Sequence, residues 1–263
     1  MPFVQLPASA GGARISYGER GSGVGPAVLH LHGGWGATLY PCDVQAAALG
    51  DRARLITPVR SGYGASTPLD ELAPGFHQRA AAETLSLMDQ LEIERAVLWG
   101  HSDGAVIAVH GALAASDRVA GIVLEALHLI ADKPGSRAFF TETADDPSWV
   151  GERAAKVLAA EHGGDRWRAV LQMNARAWLD LAERLPAPAD LYDGRLGEID
   201  PPVLVVHGRE DPRTEPGELE AILAALPRAT QCVLQGAGHS PHSEREFARP
   251  VAESIAAFVA ATA

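Results

Sequence analysis

The sequence has few of the residues on which several common classes of protein depend. It contains only two cysteines, Cys42 and Cys232, which are too few and too far apart for a disulfide framework or a zinc site. Lysine and arginine number 22 against 33 acidic residues, for a net charge of −11, and no cluster of cations stands out. Nucleic acids and anionic membrane surfaces attract clustered cations, so we expect neither as a partner.

A basic leader and long apolar runs are missing as well. Residues 1–16 show no basic cluster followed by an apolar run, so no signal peptide is predicted. No apolar stretch is long enough to span a bilayer. Hydrophobic residues make up 47% of the chain and charged residues 21%, which is typical of a globular protein with a substantial core. We therefore expect a cytoplasmic monomer or homodimer that acts on a small-molecule substrate.

What the chain does contain is a repeated pattern of short apolar runs, each followed by a glycine-rich loop and a stretch of helical spacing. This pattern predicts an α/β fold: a mostly parallel sheet of about eight strands with helices on both faces. Residues 3–6 and 13–17 could add an antiparallel hairpin at one edge. The main strands are predicted at 27–31, 54–59, 96–99, 119–124, 203–206 and 230–234, and the helices at 76–91, 104–115, 216–226 and 244–261.

The pattern is interrupted between the fourth and fifth of these strands. Residues 137–184 predict two or three helices and contain three of the five tryptophans, Trp149, Trp167 and Trp178. Helices inserted there would lie over the strand ends as a cap. Most of these tryptophans should pack the cap onto the core, because large aromatic side chains usually fill cores. The predicted boundaries are 1–130 and 198–263 for the core and 131–197 for the cap.

Residues 100–104, Gly-His-Ser-Asp-Gly, match the pattern G-x-S-x-G. The serine of such a motif lies on a sharp turn between a strand and a helix, where close packing requires glycine neighbours. The predicted strand before the motif and the predicted helix after it supply this context. Ser102 is therefore the candidate nucleophile, and the alternative is that it only caps a helix.

A serine hydroxyl is a weak nucleophile until a base removes its proton. His239, which directly follows the last predicted strand, is the candidate base. Asp211 follows the strand before it and could orient the imidazole and stabilise its protonated form. Glu210 and Glu125 are alternatives for this acid, but we prefer Asp211.

Attack on a carbonyl creates an oxyanion that needs donors already in place. One expected donor is the backbone N–H of Asp103; the other comes from the loop after the first main strand, with Gly34 preferred to Trp35. No G-x-G-x-x-G occurs in this loop and no H-E-x-x-H elsewhere, so we predict neither cofactor nor metal. Candidate substrate-binding residues are His32, Gly33, His101, Asp103, Trp149 and Trp178.

Four motifs in order resemble those of the α/β-hydrolase superfamily: HGGWG at 32–36, GHSDG at 100–104, HGRED at 207–211 and GAGHSPH at 236–242. The resemblance covers about residues 26–130 and 199–260 and implies the triad Ser102, Asp211 and His239. It implies a hydrolase of small carboxylic esters that forms an acyl-enzyme. A carbon–carbon bond hydrolase of meta-cleavage products, a lactonase, an amidase and a non-catalytic binding protein are open alternatives.

The Ser-Asp-Gly sequence is similar to that of valacyclovirase-like amino-acid ester hydrolases, in which the acidic residue recognises a substrate ammonium. The resemblance implies this role for Asp103, but a carboxylate there also suits the positive end of the following helix, which is the explanation we favour. Relatives commonly have aspartate where this chain has Val59, which should alter loop packing. Epoxide hydrolases and haloalkane dehalogenases use an aspartate nucleophile, so Ser102 disfavours both.

Overall fold

The computed structural model describes residues 1–21 and 25–262 and contains one sheet of eight strands. The strands are β1 (Phe3–Gln5), β2 (Arg14–Arg20), β3 (Ala27–Leu31), β4 (Arg54–Val59), β5 (Ala96–His101), β6 (Val119–Glu125), β7 (Val203–Gly208) and β8 (Thr230–Leu234). Their order is β1-β2-β4-β3-β5-β6-β7-β8. The strands from β3 to β8 are parallel, while β1 and β2 pair antiparallel at one edge. The predicted mostly parallel sheet and its edge hairpin are confirmed.

Helices cover both faces of this sheet. The helices are α1 (Asp43–Leu49), α2 (Phe76–Gln90), α3 (Asp103–Ala114), α4 (Pro134–Asp145), α5 (Gly151–His162), α6 (Arg166–Arg184), α7 (Glu218–Ala225) and α8 (Ala248–Thr262). In the part of the chain that the structure describes, no helix has both the length and the apolar character that crossing a membrane requires.

The continuous apolar strands contribute side chains to two hydrophobic cores, one on each face of the sheet. Alternate side chains of a strand point to opposite faces, so Val28 packs with Ile255 of α8, whereas its neighbour Leu29 packs with Met88 of α2. Residues of α1 and α8 belong to the cluster that contains Val28. Residues of α2, α3 and α7 belong to the cluster that contains Leu29. Burial on both faces explains why these strands read as unbroken apolar runs.

Helices α4, α5 and α6 are inserted between β6 and β7, where the sequence pattern was interrupted. The last residues of α5 join this insertion to the loops that follow β3 and β4. His162 Nδ1 accepts from the N–H of Gly64 at 3.0 Å, and its Nε2 donates to the carbonyl oxygen of Trp35 at 3.0 Å. The carboxylate of Glu161 accepts from the backbone N–H groups of Ala37 and Thr38. The division into core and cap at residues 131 and 197 stays a prediction.

The turn from β5 into α3 has no room for side chains at its two glycines. A Cβ at Gly100 would overlap the carbonyl oxygen of Gly104, and one at Gly104 would overlap the carbonyl oxygen of Leu31. Ser102, between them, has φ 55° and ψ −118°. A non-glycine residue rarely adopts a positive φ, so the strain of this turn falls on the serine.

We expect Gly104→Ala to lower the free energy of unfolding by about 3 kcal/mol or more, because the methyl group must displace β3 backbone. Gly135→Ala in α4 is the matched control, since its nearest neighbours would lie at 3.5 Å, an ordinary contact. Urea unfolding of both variants measures the difference. Equal stability of the two variants would contradict the packing described for this turn.

Candidate active site

The residues predicted for catalysis follow three different strands and meet at the carboxyl edge of the sheet. Ser102 follows β5, Asp211 follows β7 and His239 follows β8. Ser102 and His239 both line one cavity of about 410 Å³, which Gly33, Gly34 and other residues of the loop after β3 also line. Ligands of open α/β sheets bind at such an edge.

The imidazole of His239 is held by Asp211. Nδ1 of His239 lies 2.8 Å from Oδ2 and 3.0 Å from Oδ1 of Asp211. Burial alone would raise the pKa of Asp211, but His239 and the donated N–H of Arg213 outweigh it and hold that pKa well below its ordinary value. An ionised Asp211 keeps the ring proton on Nδ1 and leaves Nε2 free to accept a proton.

The loop that carries His239 is fixed from both sides. Glu244 accepts hydrogen bonds from the backbone N–H groups of Gly238 and Ser240, at 3.0 and 3.1 Å. Nε2 of His101 donates to the carbonyl oxygen of His239 at 3.1 Å. Burial lowers the pKa of His101 to about 3, so this ring stays neutral and adds no charge beside the predicted base.

Both alternatives for the acid are engaged elsewhere. Glu125 accepts from the backbone N–H and from Nδ1 of His242, each at 2.9 Å, and from Nε1 of Trp99 at 3.2 Å. Glu210 is exposed, and its carboxylate accepts from Gln235 at the surface. The geometry therefore supports the preference for Asp211.

The hydroxyl of Ser102 has a neighbour that the sequence motifs did not indicate. Ser102 Oγ lies 3.4 Å from Nε2 of His128, and within the described residues no hydrogen bond joins Oγ to His239. His128 lies in the loop just after β6, and its ring is stacked at 5.6 Å from that of His239. Only its place after a strand end could have marked it, because no motif surrounds it.

Lys133 determines which ring nitrogen of His128 carries the proton. The Lys133 ammonium has three N–H donors, and Nζ lies 2.7 Å from the carbonyl oxygen of Arg213, 2.9 Å from Glu218 Oε2 and 3.1 Å from Nδ1 of His128. Nδ1 must therefore accept, so the proton of the neutral ring lies on Nε2. His128 then donates to Ser102 Oγ and leaves the hydroxyl proton available to another acceptor.

The buried Lys133–Glu218 pair also holds the backbone next to His128 in place. Glu218 is almost fully buried, and its Oε1 accepts from the backbone N–H groups of Leu129 and Ile130. The hydroxyl of Tyr192 donates to the carbonyl oxygen of His128 at 2.7 Å. These contacts fix both the backbone and the ring of His128 beside the nucleophile.

The predicted oxyanion donors lie around Ser102. Asp103 is the first residue of α3, so its backbone N–H has no acceptor within the helix. Gly34 and Trp35 line the cavity, and a Cβ at Gly34 would overlap the side chain of Asn174. Gly33 lies so close that an added Cβ would be 3.4 Å from the Cβ of Ser102. The role of these N–H groups stays a prediction.

The carboxylate of Asp103 is saturated by protein donors. Its Oδ2 accepts from Arg60 at 3.2 Å and from Asn174 at 2.8 Å, and its Oδ1 accepts from Nε1 of Trp178 at 2.7 Å. Burial would raise the pKa of Asp103, but His77, Arg60 and Trp178 lower it well below its ordinary value. Asp103 is thus an ionised and fully partnered carboxylate at the start of α3.

The other predicted substrate-binding residues fall into two groups. Trp149 and His101 line the cavity, and Trp149 is 40% exposed and packs edge-on against Trp35 near the opening. His32 and Trp178 lie behind the cavity wall, which differs from the expectation. His32 is buried, with Nδ1 donating to the carbonyl of Gly33 and Nε2 accepting from a backbone N–H. Trp178 supports the wall through Asp103.

Val59, the last residue of β4, has a simple packing role. Val59 is buried in a cluster with Tyr63, Val170 and Met173, the last two from α6. An aspartate would place a charge in this apolar contact between the core and the inserted helices. That valine alters the packing of this loop relative to relatives with aspartate stays a prediction.

Several cavity residues, Tyr40, Phe139, Phe140 and Arg213 among them, were not predicted from the sequence. Tyr40 lies in a loop, and Phe139 and Phe140 lie on α4, so no motif marked them. Arg213 follows Asp211 by two residues and also lines the cavity. No group of three or more histidine, cysteine or acidic side chains suited to a metal ion occurs among residues 1–21 and 25–262.

Comparisons with known proteins agree with this architecture. A model of the Alpha/beta hydrolase family matches residues 28–253. The pimeloyl-[acyl-carrier protein] methyl ester esterase of Nitrosomonas europaea is 28% identical over 84% of this chain and 91% of its own. The serine hydrolase BPHL of Mus musculus is 28% identical over 76% of this chain and 68% of its own. The structure of a thermophilic esterase from Thermogutta terrifontis, 23% identical, aligns over 99% of this chain and 98% of that one with a TM-score of 0.75, which shows a shared fold.

We expect His128 to stay neutral, with its proton on Nε2, from pH 8 down to pH 5. Burial and the nearby cations Lys133 and Arg213 lower its pKa well below the ordinary value. The ¹⁵N chemical shifts of its ring, assigned with a His128→Asn variant, report both the protonation state and the tautomer. Titration near pH 6.5, or a proton on Nδ1, would contradict the Lys133 network.

Proposed function

This chain belongs to the alpha/beta hydrolase family, and we propose that it is a serine esterase that cleaves a small carboxylic ester through an acyl-enzyme on Ser102. The observation that carries the proposal is the Asp211–His239 pair, because His239 lines one cavity together with a serine held at positive φ. The esterase activities named for two of the similar proteins support the choice of an ester bond.

In the first half of the reaction, Ser102 Oγ attacks the ester carbonyl while Nε2 of His239 takes the hydroxyl proton. The oxyanion forms opposite the backbone N–H of Asp103 and that of Gly34, with Trp35 as the alternative donor. His239 then returns the proton to the leaving alcohol. Each well-placed donor contributes about 10²–10³ in rate in enzymes of this type.

In the second half, water attacks the acyl-enzyme, again with His239 as the base, and releases the acid and free Ser102. Asp211 stabilises the imidazolium that forms in each half. Its ionised state, supported by its lowered pKa, is the one that this role needs. His128 orients the hydroxyl, because its Nε2–H points at Oγ and leaves the serine proton for His239.

The geometry does not favour a substrate ammonium as the partner of Asp103. Each of its oxygens already accepts a strong hydrogen bond, and Arg60 supplies the opposite charge. An ammonium would have to displace one of these donors and leave it buried without a partner, which is costly. We therefore assign Asp103 a structural role through its side chain and a catalytic role through its backbone N–H.

The triad is tested by Ser102→Ala and Asp211→Asn. We expect the first to lower kcat for 4-nitrophenyl butyrate by at least about 10⁴-fold and the second by about 10³–10⁴-fold. Glu210→Gln, which removes the neighbouring exposed carboxylate, is the matched control and should keep the wild-type rate. Undiminished turnover by Ser102→Ala would refute the mechanism. A stoichiometric burst with a fluorophosphonate but no ester turnover would point to a binding protein instead.

The assignment of Asp103 is tested with two esters of the same shape, benzyl valinate and benzyl isovalerate, which differ in the amino group. We expect the ammonium to give no gain in kcat/KM at pH 7, because Asp103 is already neutralised by Arg60. A tenfold or greater preference for benzyl valinate that Asp103→Asn abolishes would show that Asp103 does bind an ammonium.

A further inference from the structure

Arg213 is a cation that lines the same cavity as Ser102. It follows β7, and its backbone is fixed at both ends: its N–H donates to Oδ1 of Asp211 at 2.8 Å, and its carbonyl oxygen accepts from Lys133 at 2.7 Å. The carbon of its guanidinium lies 3.9 Å from the ring centre of Phe139 and 4.5 Å from that of Phe140. Aromatic faces attract a cation without using its N–H donors.

This guanidinium has no anionic partner within the described residues. Its Nε is buried and makes no hydrogen bond, and no salt bridge joins Arg213 to a carboxylate. Burial lowers the pKa of Arg213 to about 10. A charge in such a place is costly unless it is paired and hydrogen-bonded.

The carboxylates nearest to Arg213 are committed elsewhere. Asp211 is bound to His239, Asp103 to Arg60, and Glu218 to Lys133. Each buried carboxylate in this region therefore has its own ion-pair or hydrogen-bonding partner. These carboxylates stabilise the charge of Arg213 through space, but within the described residues none of them forms a salt bridge or a hydrogen bond with its guanidinium.

The same cavity joins Arg213 to Ser102. Arg213, Ser102 and His239 all line it, and among the described lining residues Arg213 is the only lysine or arginine. The remaining wall is largely aromatic, from Trp35, Tyr40, Phe139, Phe140 and Trp149. A ligand that fills this space would meet aromatic side chains, one cation and the predicted nucleophile. The carboxylate of Asp103, which also lines the cavity, is already paired with Arg60.

We propose that Arg213 binds a carboxylate of the substrate, so that the preferred esters carry a free carboxylate and an apolar body on either the acyl or the alcohol side of the scissile bond. A guanidinium presents paired N–H donors that match the two oxygens of a carboxylate. The choice of ester as the bond rests on the proposed function; the binding of a carboxylate does not.

The first test compares two matched pairs of esters. Monomethyl adipate and dimethyl adipate differ in a carboxylate on the acyl side; 4-acetoxybenzoate and its methyl ester differ in one on the alcohol side. We expect the charged member of at least one pair to have a kcat/KM at least about tenfold higher, the effect of one charge-assisted contact. No preference for charge in either pair would overturn the proposal.

Substitutions then assign the preference to Arg213. Arg213→Met should lower the ratio of kcat/KM for the charged to the neutral ester at least about tenfold, and Arg213→Lys should retain part of it, since lysine keeps the charge but loses the fork of donors. Arg209→Met is the matched control, because Arg209 lies on the same loop but pairs with Glu220 at the surface. If Arg213→Met lowers kcat/KM for both esters equally, the residue has only a structural role and the proposal is wrong.

Binding without turnover separates this proposal from the proposed function. In a Ser102→Ala background, isothermal titration measures the Kd of the same four compounds, and we expect tighter binding of the charged member in the preferred pair. Adding Arg213→Met should remove this difference, while adding Arg209→Met should not. Charge-selective binding with no turnover of any ester by the wild type would refute the esterase but support the carboxylate site. Ester turnover without charge-selective binding would support the esterase and refute the carboxylate site.

Discussion

The close approach of β3, β5 and α3 is the constraint on which the rest of this structure depends. Backbone atoms occupy the space where side chains of Gly100 and Gly104 would lie, so the chain can turn sharply only with Ser102 at positive φ. That turn places Ser102 at the carboxyl edge of the sheet, where the loops after β6, β7 and β8 carry His128, Asp211 and His239. The strained conformation of Ser102 is tolerated because the two cores, one on each face of the sheet, hold the strands in place.

Around this turn, buried ionisable side chains lie in pairs, and each pair positions a different part of the site. Asp211 orients the imidazole of His239, the predicted base. The Asp103–Arg60 pair connects α6 to the start of α3 through Asn174 and Trp178. Lys133 with Glu218 fixes the ring of His128. In a medium of low dielectric constant each pair must be nearly complete to be tolerated. Arg213, the one lysine or arginine among the described residues that line the cavity, forms no salt bridge and is therefore the strongest indication of what the cavity binds.

The inserted helices contribute side chains to the cavity and hold the loops beside it. Helix α4 supplies the aromatic rings under Arg213, and the end of α5 holds the loops after β3 and β4 through Glu161 and His162. The shape of the cavity and the position of the loop after β3 are thus linked through one insertion. A change in these helices would alter both the aromatic wall and the loop that carries the predicted oxyanion donors.

The sequence alone was enough to predict the fold class and the strands, and to propose the three residues of the triad. Strands buried on both faces are apolar throughout, and a serine on a strained turn needs glycines at fixed spacing, so both features are local. His128, Lys133, Glu218 and Arg213 have no such local pattern. His128 meets Ser102 and Lys133 meets Glu218 only through folding, and Arg213 is marked by the absence of a salt-bridge partner. Only the tertiary structure could decide that Asp103 is already paired and that Arg213 is not, since the pairing of buried charges depends on which loops and helices pack together.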